Sequence, residues 1–127
     1  DIEKVREFLK EKEGRKQEQL EERYKEALRD CKNIISLIIE KYNPKRIYQW
    51  GSLLYPERFS EISDIDIAVE GIENYETFSR MYGTVSELSS FPVDLVELEK
   101  IHPLHADSIR SQGKLLYERD DKTSNTH

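Results

Sequence analysis

Three aspartates, Asp64, Asp66 and Asp94, and one Gly51-Ser52 pair are the residues of this chain whose types and spacing could do chemistry. From Ser63 the chain reads Ser63-Asp64-Ile65-Asp66-Ile67-Ala68-Val69-Glu70-Gly71, alternating acidic and apolar before turning apolar. That pattern predicts a short strand over 64–69, wet at one end and buried at the other. Side chains two apart on a strand share a face, so Asp64 and Asp66 point one way while Ile65, Ile67 and Val69 point into the core. Two ionised carboxylates side by side repel one another and need a cation nearby. Hard oxygen ligands suit Mg²⁺, or Mn²⁺, ions that keep several waters and borrow phosphate oxygens from a substrate. In so acidic a chain an acid-any-acid triplet arises by chance, and it is the company that raises this one. Asp94 lies between Val93 and Leu95 in a run of strand formers, where a carboxylate is costly to bury unpaired. Gly51-Ser52 ends another such run, and a glycine there lets backbone N–H groups approach a phosphate, with the hydroxyl as an added donor.

The elements that must position these residues can be read along the chain. Ile2, Val5, Phe8 and Leu9 recur at helical spacing, after which residues 11–19 hold no apolar anchor and Gly14 offers a break. Residues 1–19 read as a solvated helix, the alternative being an arm that docks on a partner. Leu20, Tyr24, Ala27, Leu28, Cys31, Ile34, Ile35, Ile38 and Tyr42 continue a helix whose apolar face widens toward its C-terminal half, and Asn43-Pro44 stops it. Residues 45–52 then read as a strand, 56–60 as a loop or short helical turn, and 74–90 as a helix, or two short ones separated at Gly83. Pro92 closes that helix, and Val93 to Leu98 forms the next strand. A short helix starts at His102-Pro103 and stops near Gly113, and Leu115-Leu116-Tyr117 packs back as a last apolar segment. Residues 122–127 are polar and read as a disordered tail. The expected organisation is a helical extension over 1–43, a core over 44–121 and that tail. The fold class is α/β (α+β): a small mixed sheet carrying the three aspartates, flanked by helices.

Bulk composition narrows the function. A chain of 127 residues forms one domain. It carries 20 Lys and Arg against 26 Asp and Glu, a net charge of -6. Residues 1–43 hold 11 of each sign, so the whole acidic excess falls on the remainder, where the aspartates lie. Broad nucleic-acid binding needs a basic patch and is disfavoured. One cysteine, Cys31, excludes an internal disulfide framework and fits a reducing, cytoplasmic setting. No apolar run is long enough to span a membrane, and no signal-peptide pattern opens the sequence. His102 and His105, with Asp107 near, suggest a metal site, but no further His or Cys completes a zinc set, and a surface pair at a helix start is the simpler reading. Cys31 on an apolar helix face reads as a small core residue. Trp50 and Tyr48 could stack a base, but core packing is the simpler assignment.

Gly51-Ser52, Asp64-Ile65-Asp66 and Asp94 together resemble the glycine-serine, paired-aspartate and third-aspartate motifs of the DNA polymerase β-like nucleotidyltransferase superfamily. The short length and the closing run Ile109…Gly113-Lys114-Leu115-Leu116-Tyr117 are most similar to its minimal nucleotidyltransferase branch, many of whose members are antitoxins paired with HEPN-domain ribonuclease toxins. The likeness covers about residues 30–119. It implies the nucleotidyltransferase fold and a metal-dependent transfer of AMP, or another NMP, from ATP or another NTP to a hydroxyl, with a tyrosine of a HEPN toxin as acceptor. It implies two Mg²⁺ ions held by Asp64 and Asp66, with Asp94 on the ion that binds the attacking hydroxyl. It also implies nucleotide contacts from Gly51, Ser52, Ser63 and Arg58. Two departures stand out: eleven residues separate Ser52 from Asp64, one more than is commonest, and Leu53-Leu54-Tyr55 stands where members often carry an arginine, so that Arg58 becomes the substitute. The alternatives are a non-catalytic binding module that neutralises its partner by contact and, further off, an aminoglycoside-type enzyme acting on a small molecule, for which the chain lacks an enclosing second domain. Oligomer formation is left open.

Overall fold

The computed structural model describes residues 1–120, so the expected tail over 122–127 lies outside the described residues. Its longest element is α1 (Ile2–Tyr42), 41 residues in one unbroken helix. At about 1.5 Å per residue that is roughly 60 Å of rod. The break offered at Gly14 does not occur: the position faces open space, where a Cβ would meet nothing within 4 Å, and the single glycine's cost of about 1 kcal/mol does not interrupt the helix. Asp1 caps the start by accepting from the Glu3 N–H at 3.1 Å. Asn43 ends the helix in the left-handed conformation, φ 46°, just before Pro44. Only the C-terminal half packs: Ala27, Cys31, Ile34 and Ile38, at successive helical turns, are buried. Residues 1–19 are solvent-exposed throughout. Burial pushes the Cys31 thiol up to about 11, as fits an inert core residue.

Four strands follow: β1 (Arg46–Trp50), β2 (Ile65–Glu70), β3 (Val93–Glu97) and β4 (Lys114–Glu118). They form one mixed sheet in the order β3-β2-β1-β4, with β1 antiparallel to β2 and β4, and β2 parallel to β3. Two 3₁₀ turns, Ser52–Leu54 and Pro56–Arg58, leave the end of β1. The parallel pair is joined by α2 (Tyr75–Leu88), which runs through Gly83 as a single helix; a Cβ at that position would also meet nothing within 4 Å. Asn74 caps α2 by accepting from the Thr77 N–H at 2.8 Å. Asp30 of α1 ties down the far end of α2, accepting from the Ser90 N–H and both the Ser89 and Ser90 hydroxyls. The last helix, α3 (Pro103–Gln112), is capped by His102, whose Nδ1 accepts from the Leu104 N–H at 3.1 Å. Gly113 follows because a Cβ there would sit 2.5 Å from the Ile109 carbonyl and 2.9 Å from that of Gln49.

Strand alternation divides the core in two. Ile47, Ile65, Ile67, Val69 and Leu95 face α1 and α2 in the main cluster. Tyr48, Trp50, Ala68 and Val96 face the other way, toward Ala106 and Ile109 of α3. At the sheet end where β2 finishes, Glu70 bonds Arg46 of β1 and Arg110 of α3, and Arg46 also reaches Glu118 of β4. Burial by itself would raise the Glu70 carboxyl, but the hydrogen bonds and charges of the two arginines outweigh it and hold it below the ordinary value of 4.5. A lowered pKa means that the stabilisation is complete above pH 4.5 and is lost as pH falls through the folded value. Glu70→Gln is therefore expected to melt a few degrees below wild type at neutral pH. The gap should close as the two proteins are compared in progressively more acidic buffer below pH 4.5. A gap that persisted at the acid end would show that the carboxylate is not its source.

Among the described residues no helix is long and apolar enough to cross a membrane.

Candidate functional site

At the opposite end of the sheet, β1 ends where β2 and β3 begin. Asp66 is the second residue of β2, and its partner across the parallel pair is Asp94, the second residue of β3. On its other side Asp66 faces Trp50 across the antiparallel pair. Residues directly opposite one another share a face of the sheet, so Asp66 and Asp94 lie on the α3 side, as Ala68 and Val96 do two residues on. Asp64 precedes the strand and is exposed; β2 starts at Ile65, so the acid at 64 belongs to the mouth of the site rather than to the ladder. The same trimming applies to β1, which ends at Trp50, with Ser52 opening a 3₁₀ turn.

Electrostatics tie the three acids together. Burial, and then the charges of Asp94 and Asp64, push the Asp66 carboxyl up to about 7. No lysine or arginine among the described residues forms an ion pair with any of the three. A carboxylate kept half-buried beside two others is a destabilised group awaiting positive charge. Gly51 is what lets it sit there. With φ 82° and ψ -163°, that glycine occupies a backbone region nearly closed to other residues, and a Cβ on it would come within 2.1 Å of Asp66 Oδ2.

Next to the acids, a cavity of about 250 Å³ opens between the end of β1 and α3. Gly51, Ser52 and Arg58 line it, as do Trp50 and Tyr55. Arg58 lies over the Tyr55 ring, 4.6 Å from its centre. The α3 wall comes from His105, Ser108 and Gln112, spaced along one helix face. Ser63 is not part of this lining; its Oγ accepts from the Ser60 N–H at 2.9 Å within the connecting turn. Ser108 and Gln112 are lining residues that the sequence does not single out, and His105 stands out in it only as half of a surface pair with His102. The signal available for them was a polar stripe on α3 ending at Gly113, but nothing in the sequence tells which way a short amphipathic helix faces. Trp50 is only partly buried and lines the cavity, whereas Tyr48 packs in the core.

Residues 32–122 match the family described as Polymerase beta, Nucleotidyltransferase. The chain belongs to this nucleotidyltransferase family. Solved structures agree on the fold. A mutant MntA–HpeT toxin–antitoxin complex aligns with a TM-score of 0.58 at 22% identity, over 74% of this chain and 77% of that one. A tri-AMPylated Shewanella oneidensis HEPN toxin in complex with an MNT antitoxin aligns at 0.56 and 22% identity, over 77% of each chain. A toxin–antitoxin structure with AMP-PNP gives 0.56 at 25% identity, over 72% of this chain and 77% of that one. No curated protein matches. As a nucleotidyltransferase the chain has its paired acids where the fold joins a parallel strand pair, on the face that the cavity shares.

The donor set fits the hard divalent cation that such chemistry uses. Asp64, Asp66 and Asp94 offer only carboxylate oxygen, and burial with the charges of Asp94 and Asp64 makes ionisation of Asp66 costly without a cation. Among the described residues no three His, Cys, Asp or Glu side chains, the three aspartates included, are placed to hold a metal ion together as a cage. A closed cage is not what Mg²⁺ takes: it is bound by one or two carboxylates and completes its shell with waters and substrate phosphates.

Proposed function

We propose that this nucleotidyltransferase moves AMP, or another NMP, from a nucleoside triphosphate onto a hydroxyl of a protein partner, the hydroxyl oxygen bonding to the α-phosphorus as the bond to the bridging oxygen breaks and pyrophosphate leaves, with Asp64, Asp66 and Asp94 as its catalytic acids. The observation that carries this reading is the register of Asp66 with Asp94 on the face shared with the Gly51-Ser52 cavity. Asp64 and Asp66 would hold divalent cations, Mg²⁺ or Mn²⁺, and Asp94 would share one of them. When bound, the ions supply Lewis-acid charge that offsets the phosphates and acidifies a hydroxyl. The chain's own residues do the rest. Gly51, by lacking a side chain, leaves its backbone open to a phosphate and leaves Asp66 room to stand over it. Ser52 and Arg58 offer a hydroxyl and a guanidinium to the outer phosphates. Asp94, on β3 beside Asp66, would accept the proton of an attacking hydroxyl. Ser63 remains a candidate nucleotide contact only if its turn opens, since its hydroxyl is engaged with Ser60.

The acceptor follows from the neighbours rather than from this chain. A tri-AMPylated HEPN toxin held by an MNT antitoxin supports a HEPN-type toxin as partner and AMP as the group moved. The AMP-PNP complex supports ATP as donor. Residues 1–43 would act as a helical extension and 44–121 as the catalytic core, in a cytoplasmic setting. One observation favours a second reading, neutralisation by contact alone: Ile2, Val5, Phe8 and Leu9 are each more than half exposed on the projecting half of α1. Coexpression with a HEPN toxin that this chain silences separates the two. If catalysis protects, wild type rescues growth and Asp64→Ala/Asp66→Ala does not. Full rescue by the double variant would establish contact as the mechanism.

A further inference from the structure

We propose that the groove between α1 and β4 is a second nucleotide site, taking a nucleoside phosphate with its base against the Gln49 amide and its phosphate on Lys32 and Lys114. It lies on the reverse of the sheet from Asp66 and Asp94 and does not depend on the transfer reading. Gln49 stands on β1 between Tyr48 and Trp50, whose side chains face α3, so its own side chain faces α1. There a cavity of about 420 Å³ opens between Leu28, Cys31 and Ile35 of α1 and Leu116 of β4, within the usual range for a small-molecule site. The deciding group is the Gln49 amide. The residue is only 7% exposed, yet its side chain makes no hydrogen bond among the described residues. Its amide atoms are not sealed off, as the Arg23 Nε and Trp50 Nε1 are, so they open onto the cavity that the residue lines. A buried amide without partners is destabilising until a donor and an acceptor reach it.

Charge at the mouth supplies the second half of the argument. Lys114 is the cross-strand partner of Gln49 and shares its face of the sheet, and Lys32 follows Leu28 by one turn of α1. Both lysines are exposed, and neither forms an ion pair among the described residues. In a chain of net charge -6, no Asp or Glu lines this cavity. The occupant is therefore apolar on its flanks, carries a donor and an acceptor at its buried edge, and bears negative charge at its outer end. An alkyl chain with a carboxylate meets the lysines but leaves the amide unpaired. An added peptide strand is poorly served, because β4 carries an irregularity in register beside Ile47 and Tyr48, a feature that blunts an edge against pairing. A purine meets every demand: its faces are apolar, its edge sets an amino donor beside a ring-nitrogen acceptor to match a glutamine amide, and a nucleotide adds the phosphate.

The side-chain NH₂ of Gln49 gives its own nuclear magnetic resonance signal, which reads the cavity directly. The ¹⁵N-labelled full chain is titrated with AMP, adenosine, inorganic phosphate and octanoate, in EDTA so that no divalent cation serves the aspartates. AMP is expected to shift that signal together with the backbone signals of Leu28, Ile35 and Leu116. Adenosine should do so at about tenfold higher concentration, the size of one charge-assisted hydrogen bond, and phosphate and octanoate should not. Lys32→Ala/Lys114→Ala, two surface changes, should bring AMP down to the level of adenosine. Gln49→Leu should weaken AMP by about tenfold and raise the Tm of the free protein, a pair of effects that a packing role would not produce. Asp66→Asn should bind AMP here as wild type does. No shift at Gln49 with AMP, octanoate taking the place of AMP, AMP binding unchanged in Gln49→Leu or in the lysine variant, or loss of the shift in Asp66→Asn would each overturn the site. If AMP marks Gln49 and no nucleotide is ever transferred, the second site stands and the transfer reading falls. If transfer proceeds and AMP leaves Gln49 unmarked, the reverse holds.

Discussion

Asp66→Asn is expected to abolish nucleotidyl transfer while leaving the free protein as stable as wild type or more so. Asparagine matches the aspartate in shape, so the strand and its pairing with Asp94 and Trp50 survive. What disappears is the central charge of a trio in which burial and two like charges already strain the Asp66 carboxyl up to about 7. Removing a destabilised ionisable group relieves repulsion, and this is the usual trade between stability and activity at a functional site. Transfer should fall at least about a thousandfold, the factor that several kcal/mol of lost transition-state stabilisation amounts to. The check is a melting curve beside a turnover assay on the same preparation. A large drop in Tm with activity retained would mean that Asp66 is a structural acid with an unseen partner.

Gly51→Ala is the second large effect, and it works by displacement. At φ 82° and ψ -163° an alanine is strained by about 1–3 kcal/mol before any contact is considered. Its methyl would also stand 2.1 Å from Asp66 Oδ2 and 2.8 Å from Cγ. The carboxylate can swing aside, so the protein should fold with a lowered Tm. The carboxylate cannot swing aside and still face Asp94 in the same way, so activity should fall nearly as far as in Asp66→Asn. A Gly51→Ala protein with full activity would show that the close approach of backbone and carboxylate has no part in the chemistry. Gly14→Ala is the control. It adds a methyl with nothing within 4 Å, in a helix interior that prefers alanine, and should be neutral or slightly stabilising.

Asp64, Asp66 and Asp94 stand out as candidates in the sequence because strand periodicity assigns a face without any knowledge of the tertiary fold. Alternation put Ile65, Ile67 and Val69 on one side, and all three are fully buried in the main core. Chain stops were equally legible, since Pro44, Pro92 and Gly113 act locally and each falls at an element end. Glycines inside helices misled for the opposite reason. Gly14 and Gly83 lower helix propensity by only about 1 kcal/mol each, which the helix formers around them outweigh, and each helix runs straight through. Strand ends at Trp50 and Ile65 were also trimmed by a residue or two, because the last ladder bond depends on the partner strand and not on the residue itself. The α3 wall was out of reach. His105 was weighed only with its neighbour His102, yet the two do different things: His102 caps the helix, and His105 turns along it to meet Trp50, 55 positions back in the sequence.

One measurement bears on the central claim more directly than any other. The purified chain is incubated with a HEPN toxin as candidate acceptor, a divalent cation and ATP radiolabelled at either the α- or the γ-phosphate, in parallel with Asp66→Asn. Label on the partner from the α position, none from the γ position and none with the variant is the predicted result. Label from the γ position, or equal α label with and without the Asp66 carboxylate, would contradict it.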